Sequence, residues 1–359
     1  MGGPVTAARG TWRSRLTAQT WTAAAACLSF LAIFSAVVLL PVPYVMYSPG
    51  NTYDILAPDE NGQPTVGVTG VETYPLSGEL HMTTVAVTRA SSHLTLPEVI
   101  FGYAAPGREV LPRQTVYPEG VSAEQVATED RQMMDTSQES AVVAALRAAD
   151  QPISERVVVA SIVTGAPADG LVEPGDFVVA VDGEPVTEPS QVPPKVQAHQ
   201  VGEEVELTLH RPGSESPEQV VRVPVEAGPD GGVRIGADVD LGYDYDAEVH
   251  FGVREGIGGP SAGLIFALGI YDQITLGDLT GGRQIAGTGS IDADGAVGPI
   301  GGIRQKVHGA ESAGMDTFLV PTENCADLQG VRTDVDLVRV DSLESAITAL
   351  EPGAELPRC

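Results

Sequence analysis

The stretch "EGIGGPSAGLIFALG", Glu255 to Gly269, sets one serine among glycines and a proline and then turns abruptly apolar. Two roles are open to the Ser261 hydroxyl. Ala262 to Leu268 reads as a buried helix segment opening one residue past the serine, so the hydroxyl is placed to cap backbone N–H groups. It is equally placed as a nucleophile whose developing negative charge a helix N-terminus stabilises. The flanking glycines let backbone or another molecule approach closely. A second residue raises a similar question. The chain holds only two lysines, Lys195 and Lys306, beside eighteen arginines. A guanidinium keeps its proton in a protein, whereas a buried ammonium can lose it. Lys306 is therefore a solvated helix side chain or a base. A third constellation competes for the serine, because "GPSAG" also fits the G-x-S-x-G nucleophile elbow, with Asp292 or Asp294 and His308 following in hydrolase order. His308 comes only 47 residues after Ser261, too few for the strand and helix units that fold places between them. It also lies two residues past Lys306 on the same expected helix, facing elsewhere.

The elements that must position these residues can be read around them. "GTGSIDADGAVGPIGGIRQKVHGAESAGMDTFLVP" reads as a strand, an Asp294-Gly295 hairpin, a strand, a glycine-rich turn and a helix from about Ile303, with Lys306 near its first turn. Upstream, Tyr44 to Pro118 reads mostly as strands, "ELHMTTVAVT" alternating apolar and polar. In "MDTSQESAVVAALRAAD" a Thr136/Glu139 capping box opens a helix ahead of an Ala/Val-rich run. "QPISE" then breaks the chain before a new β-rich unit.

The 359 residues carry a net charge of −28, which argues against a nucleic-acid partner. No charged side chain stands between Leu16 and Tyr53, and Trp21 to Leu40 is an apolar run long enough to cross a bilayer. Arg9, Arg13 and Arg15 precede it and no Lys or Arg follows until Arg89, so the N-terminus is expected in the cytoplasm and everything after Pro41 outside. A cleaved signal peptide is the alternative, but the run ends "VVLLPVPY" and not in a small-x-small site. Cys27 lies in the span. Cys325 and Cys359 fall on the exported side, where disulfides persist, and permit one pairing. No Cys-x-x-Cys or His-Glu-x-x-His spacing exists, and "DADG" lacks the rest of a calcium loop, so neither metal nor cofactor is expected.

Two resemblances are specific. "VVVASIVTGAPADGLVEPGDFVVAVDGEPV" resembles the PDZ pattern over about seventy residues, with Asp182-Gly183 at a hairpin turn. The resemblance implies a strand, here Val157, Val158 and Val159, along which an extended peptide adds. The sequence departs from the family before Val157, where "QPISER" offers no Gly-Leu-Gly-Phe-like loop, so a spacer or gate is the competing role.

"GGPSAG" followed by "TGSIDADGAVGPIGGIRQK" looks like the proteolytic domain of Lon-type proteases over at least His250 to Pro321, and "SQESAVVAALRAA" resembles the helix preceding the nucleophile strand. The resemblance implies Ser261 as nucleophile, Lys306 as general base 45 residues later and Thr288 as the group that orients the lysine. The backbone at Gly259 and Ala262 would bound the oxyanion. Taken whole, the chain resembles membrane-anchored, PDZ-containing Lon-like proteases of Gram-positive bacteria. That implies an α+β chain: cytoplasmic 1–20, a transmembrane helix 21–40, a β-rich segment and first protease part 41–151, an inserted PDZ domain 152–226 and the rest of the protease 227–359. It also implies protein or peptide substrates; Lon-like domains often form rings, which leaves a homo-oligomer open, but nothing in this sequence shows a subunit interface. Lon proper carries an ATPase with a Gly-Lys-Ser/Thr phosphate loop; Lys195 follows Pro194 and Lys306 follows Gln305, so that motif is missing here and cleavage is expected to be independent of ATP. An inactive membrane-anchored adaptor is the reading from another class, although a decoy usually loses one of Ser261, Thr288 and Lys306.

Overall fold

The computed structural model describes residues 17–58, 64–118, 120–212, 214, 217–228, 231–254 and 256–359. Arg9, Arg13 and Arg15 lie outside them. Helix α1 (Ala18–Leu39) is capped by Thr17, has no buried side chain, and is long and apolar enough to cross a bilayer. Strands β1 (Pro41–Val42), β2 (Tyr44–Asp54), β3 (Val66–Thr69), β4 (Glu79–Val87) and β5 (Leu94–Thr95) follow.

Where strands were expected up to Pro118, the chain instead inserts helix α2 (Leu96–Ala104), strand β6 (Glu109–Pro112) and the single turn α3 (Arg113–Val116). The cause of α2 is a Thr-x-x-Glu box: the Glu98 carboxylate accepts the Thr95 N–H and O–H at 2.7 and 2.8 Å. Helix α4 (Ala123–Ala148) likewise starts earlier than Thr136, at a Ser122/Gln125 capping box. Its first turns are polar and exposed, so the apolar periodicity marks only the buried half, from Met134 to Leu146.

The middle of the chain folds as a β-rich unit. It comprises β7 (Ser154–Ile162), β8 (Phe177–Val181), β9 (Glu184–Pro185), α5 (Val192–Gln197), β10 (Glu204–His210), β11 (Glu218–Pro224), β12 (Glu226–Ala227), β13 (Val233–Arg234) and β14 (Ala237–Asp244). Its sheet runs β11-β10-β8-β7-β14, with β9 on β8. The core is almost all valine and leucine, including Val157, Val159, Val181, Leu207 and Leu209. The sheet does not end at the expected boundary of 226, because β14 pairs with β7 from Ala237↔Ile162 to Asp244↔Ser154.

The last part holds β15 (Glu248–Phe251), α6 (Gly263–Ile274), β16 (Gln284–Gly287), β17 (Ser290–Ile291), β18 (Val297–Gly298), α7 (Ile303–Ser312), β19 (Thr317–Pro321), β20 (Asp336–Val340) and α8 (Leu343–Leu350). A six-stranded sheet, β20-β19-β16-β4-β2-β6, joins strands from before and after the β-rich unit. β16 runs parallel to both β4 and β19. Alternation along the strands builds two cores. Ile285 and Leu319 face α4, α6 and α8, whereas Ala286 and Phe318 face α7. Helix α6 has no polar face: Leu264, Ile265, Phe266, Ala267, Leu268 and Ile270 are all fully buried. The buried Gln273 at its end bonds the Val66 and Gly269 carbonyls at 2.9 and 2.8 Å, tying the helix to β3.

Candidate active site

The two cores lie on opposite faces of one sheet, yet residues from both meet where parallel strand β16 ends. Ser261 comes from the first face, at the start of α6, and Lys306 from the second, on α7. Thr288 follows the last residue of β16. The Lys306 Nζ lies 2.7 Å from Ser261 Oγ and 2.8 Å from Thr288 Oγ1.

The backbone around the serine is pinned from several sides. Its carbonyl accepts the Gly289 N–H at 2.9 Å and the Thr288 hydroxyl at 2.8 Å. The preceding carbonyl, of Pro260, accepts the Ser137 hydroxyl of α4 at 3.0 Å. Gly263 sits so close to α4 that a Cβ there would meet Ser137 Oγ at 2.6 Å and Ile291 Cγ2 at 2.9 Å, so the second glycine of "GPSAG" is required by packing. On the other side, α7 begins at Gly302 with φ of +71°, and a Cβ there would strike Val85 at 2.7 Å. The Lys306 N–H donates to the Gly302 carbonyl, which sets the lysine in the first turn, aimed at the serine.

Burial decides the electrostatics. Lys306 is 3% exposed, and its neighbours at the amine are two hydroxyls. Removal from water disfavours the ammonium and lowers its pKa from 10.5 to about 7. A neutral amine is thus accessible near neutral pH, within hydrogen-bond reach of a serine hydroxyl. Lys195 shows the other fate, on the surface of α5 in an ion pair with Glu184.

The two backbone groups expected at the oxyanion have different fates. The Gly259 N–H donates to the Asp130 carbonyl at 2.9 Å, so it is occupied by α4 and is no free donor. The N–H groups of Ser261 and Ala262 have no acceptor among the described residues. Gly259, with φ of +85°, has no atom of the described residues within 4 Å of where a Cβ would stand, so among them the approach past it is open. Sequence reasoning missed Ser137, Gly289 and the Asp130 carbonyl; only Ser137 had a signal, its place in the helix "SQESA", while the others act through backbone.

The hydrolase alternative finds no geometry. His308 lies beside Gly107 and 3.4 Å from Glu311. Asp292 accepts N–H groups of its own hairpin turn, and Asp294 pairs with Arg147. Neither aspartate reaches the histidine.

Residues 234–350 match the family model of the Lon protease (S16) C-terminal proteolytic domain. The chain carries a Lon-type proteolytic domain. Lon protease 2 of Herpetosiphon aurantiacus is 36% identical over 107 residues, covering 28% of this chain and 13% of that one. Lon protease 1 of Bacillus subtilis is 34% identical over 104 residues, with coverages of 28% and 13%. The chain thus spans about one eighth of the length of these relatives. The matched Lon-type region holds Ser261, Thr288 and Lys306, whereas β2, β4 and β6, which complete its sheet, come from before it.

Residues 129–223 match the PDZ domain family model, and a PDZ domain is present. The match opens inside α4, whose buried side chains pack in the Lon-type core, and stops short of β14. The PDZ domain of an SdrC-like protein from Listeria innocua covers 23% of this chain and 92% of its own, at 20% identity and a TM-score of 0.22.

One expectation about the PDZ domain is corrected. Val157, Val158 and Val159 do not form an open edge, because β14 pairs with them on one side through Leu241, Asp240 and Val239. On the other side Val159 exchanges hydrogen bonds with Asp176 and Gly175. A peptide cannot add where both rows of backbone groups are paired. Among the described residues the outer edge on that side belongs to β14, beside the turn Pro189–Gln191. Finally, Cys325 and Cys359 are joined by a disulfide with Cα atoms 5.2 Å apart, and Cys27 is free and exposed on α1.

Proposed function

We propose that the chain is a membrane-anchored serine endopeptidase working through a Ser261–Lys306 dyad. The observation that carries this reading is the buried amine of Lys306, 2.7 Å from the Ser261 hydroxyl and steered by Thr288 at 2.8 Å. Neutral Lys306 accepts the Ser261 proton as Oγ attacks the scissile carbonyl. The oxyanion takes the unpaired N–H groups of Ser261 and Ala262; one such donor is worth about 3–4 kcal/mol. The lysine ammonium then gives its proton to the leaving amine, which leaves an acyl-serine. A water, deprotonated by the same amine, attacks that ester, and the proton returns to Ser261.

The cleft beside the serine supports an apolar side chain next to the scissile bond. It measures about 440 Å³, with Met133, Pro260 and Ile291 in its lining beside polar side chains that include Glu129, Gln132 and Ser140. Peptide capture by the PDZ domain belongs at the outer edge of β14, which continues through β15 towards Ser261. The PDZ insertion spans about β7 to β14, between a first protease part ending with α4 and a second starting near β15. Helix α1 anchors the chain with its N-terminus in the cytoplasm and the body outside, where the Cys325–Cys359 disulfide persists. No phosphate-loop lysine is present, so cleavage proceeds without nucleotide on substrates already accessible.

The test is a purified full-length chain in nanodiscs with an unfolded protein substrate. Cleavage is expected without ATP and lost in Ser261→Ala; cleavage surviving Ser261→Ala would reject the reading. Protease added to intact protoplasts should digest the body, and full protection would reverse the topology.

A further inference from the structure

Helix α2 is turned inside out for a helix meeting water. Val99 and Gly102 are its buried residues, and the backbone at Gly102 lies against Val110 and Met46. Beside them Ile100, Phe101 and Tyr103 stand at 60, 56 and 70% exposure. Glu98 is the one charged side chain in the helix, and its carboxylate is engaged in capping Thr95. Isolated exposed apolar residues are ordinary, but three large ones in four positions form a patch that needs a cover.

The position of α2 identifies the cover. Helix α1 ends at Leu39, and the chain then pairs at once with the residues before α2, through Pro41↔Thr95 and Val42↔Leu94. α2 also touches α1 itself. Any bilayer that α1 crosses therefore ends where α2 begins. The charge around the patch differs from that of the molecule. Between residues 88 and 118 stand three arginines, Arg89, Arg108 and Arg113, against the glutamates Glu98 and Glu109, in a chain of net charge −28. Arg108 lies over the Phe101 ring at 4.9 Å, which brings a cation to the apolar face. Basic and aromatic side chains on an apolar helix suit the headgroup region of an anionic bilayer, where a helix lies in the plane of the surface.

We propose that α2 is an interfacial helix, laying Ile100, Phe101 and Tyr103 into the surface of the bilayer that α1 spans. The inference rests on the anchor role of α1. It fixes the orientation of the body, which a single span alone leaves free to swing. The strand ends nearest α1, the start of β2 and the end of β4, become the membrane-facing end of the sheet. Val85, against which Gly302 and the start of the Lys306 helix are packed, lies at that end. The dyad then works on polypeptide close to the membrane surface.

The test uses the full chain with Trp12 and Trp21 changed to Phe and a single indole reporter, Tyr103→Trp, in vesicles of phosphatidylglycerol and phosphatidylcholine. A second reporter protein carries Leu276→Trp instead, in an exposed loop beside the far end of β4, roughly 25 Å away along the strand. Brominated lipids are expected to quench the position-103 reporter several-fold more than the position-276 reporter, and the difference is expected to shrink in purely zwitterionic vesicles. Adding Ile100→Ser and Phe101→Ser should abolish quenching at position 103 while peptide cleavage is retained. Vesicle flotation separates the two readings. A chain that floats with position 103 no more quenched than position 276 overturns the interfacial helix alone. That outcome includes a blue-shifted but unquenched reporter at position 103, which signifies a protein cover. A chain that does not float removes the anchor and this surface together.

Discussion

The molecule buries two ionisable side chains in opposite ways. In the PDZ domain, Asp176 is 1% exposed and is gripped by Arg211 at 2.6 and 2.7 Å, while Arg211 also reaches Glu173 at 2.8 Å. Burial works to raise the Asp176 pKa, but the guanidinium and the Glu173 N–H outweigh it and hold the carboxyl below its ordinary value. Charge meets charge, and both partners stay ionised. In the Lon-type domain, Lys306 is as deeply buried but is met by two hydroxyls, and its pKa falls to about 7. A paired buried charge is fixed in one protonation state and serves structure. A buried cation with only hydroxyl partners can exchange its proton near neutrality, which is the property a base requires.

This contrast fails if the two sites respond alike to loss of charge. The largest effect is expected in Lys306→Met, which should lower peptide cleavage by on the order of 10⁴-fold. The same change should raise stability at pH 7 by up to about 4 kcal/mol, because the unfolded lysine binds a proton that the folded one releases. The native amine costs stability below its folded pKa, and that cost fades as pH rises from about 7 towards 10.5. Denaturant midpoints of wild type and variant should therefore converge at high pH. Asp176→Ala should do the reverse. It leaves Arg211 without its main partner and is expected to cost about 3–5 kcal/mol, with small-peptide cleavage unchanged below the lowered melting temperature.

Smaller effects follow from single groups. Thr288→Val keeps the shape but removes one bond to the Lys306 amine and one to the Ser261 carbonyl. It should reduce kcat by roughly 10–100-fold, the rate equivalent of about 1–3 kcal/mol. Asp272 concerns stability alone, with no expected effect on cleavage. Its buried carboxyl is raised to about 6, first by burial, and one oxygen has no hydrogen-bond partner among the described residues. The native state binds this proton more tightly than the unfolded one, so stability falls as pH rises from about 4 to 6 and the loss persists above. Asp272→Asn should raise the melting temperature at about pH 7.5 and leave it nearly unchanged at about pH 4.

Legibility in the sequence followed the same division. Ser261, Thr288 and Lys306, which the structure brings within hydrogen-bond distance of one another, could be picked out because their grouping depends on side-chain identity, and their motifs carry it. Features made by backbone left no such mark. The Gly259 N–H is bound by a helix carbonyl, and the Ser261 carbonyl is held by the Gly289 N–H, contacts made by backbone atoms that no side-chain motif announces. The long first half of α4 was hidden because exposed helix lacks an apolar period, although Ser122 and Gln125 form a box. The PDZ edge was misplaced onto Val157–Val159 because the strand that covers it, β14, arrives some eighty residues later, past β11 and the short β12 and β13. Pairing between segments that distant is set by the tertiary fold, and the alternation of either strand alone does not reveal which edge stays open.

The proposed chemistry stands or falls with Lys306 as the neutral base for Ser261. It is tested most directly by the rate at which a small serine-directed acylating reagent labels the protein, followed by intact mass and peptide mapping across neutral pH. The expected result is a single label on Ser261, with a rate that rises with pH through a midpoint near the depressed lysine pKa of about 7. Lys306→Arg, which keeps the charge but cannot accept the proton, should show no labelling. A rate that is flat with pH, or a Lys306→Arg protein labelled at the wild-type rate, contradicts the dyad and leaves the Ser261–Lys306 hydrogen bond a structural contact, since no backbone N–H among the described residues is capped by the Ser261 hydroxyl.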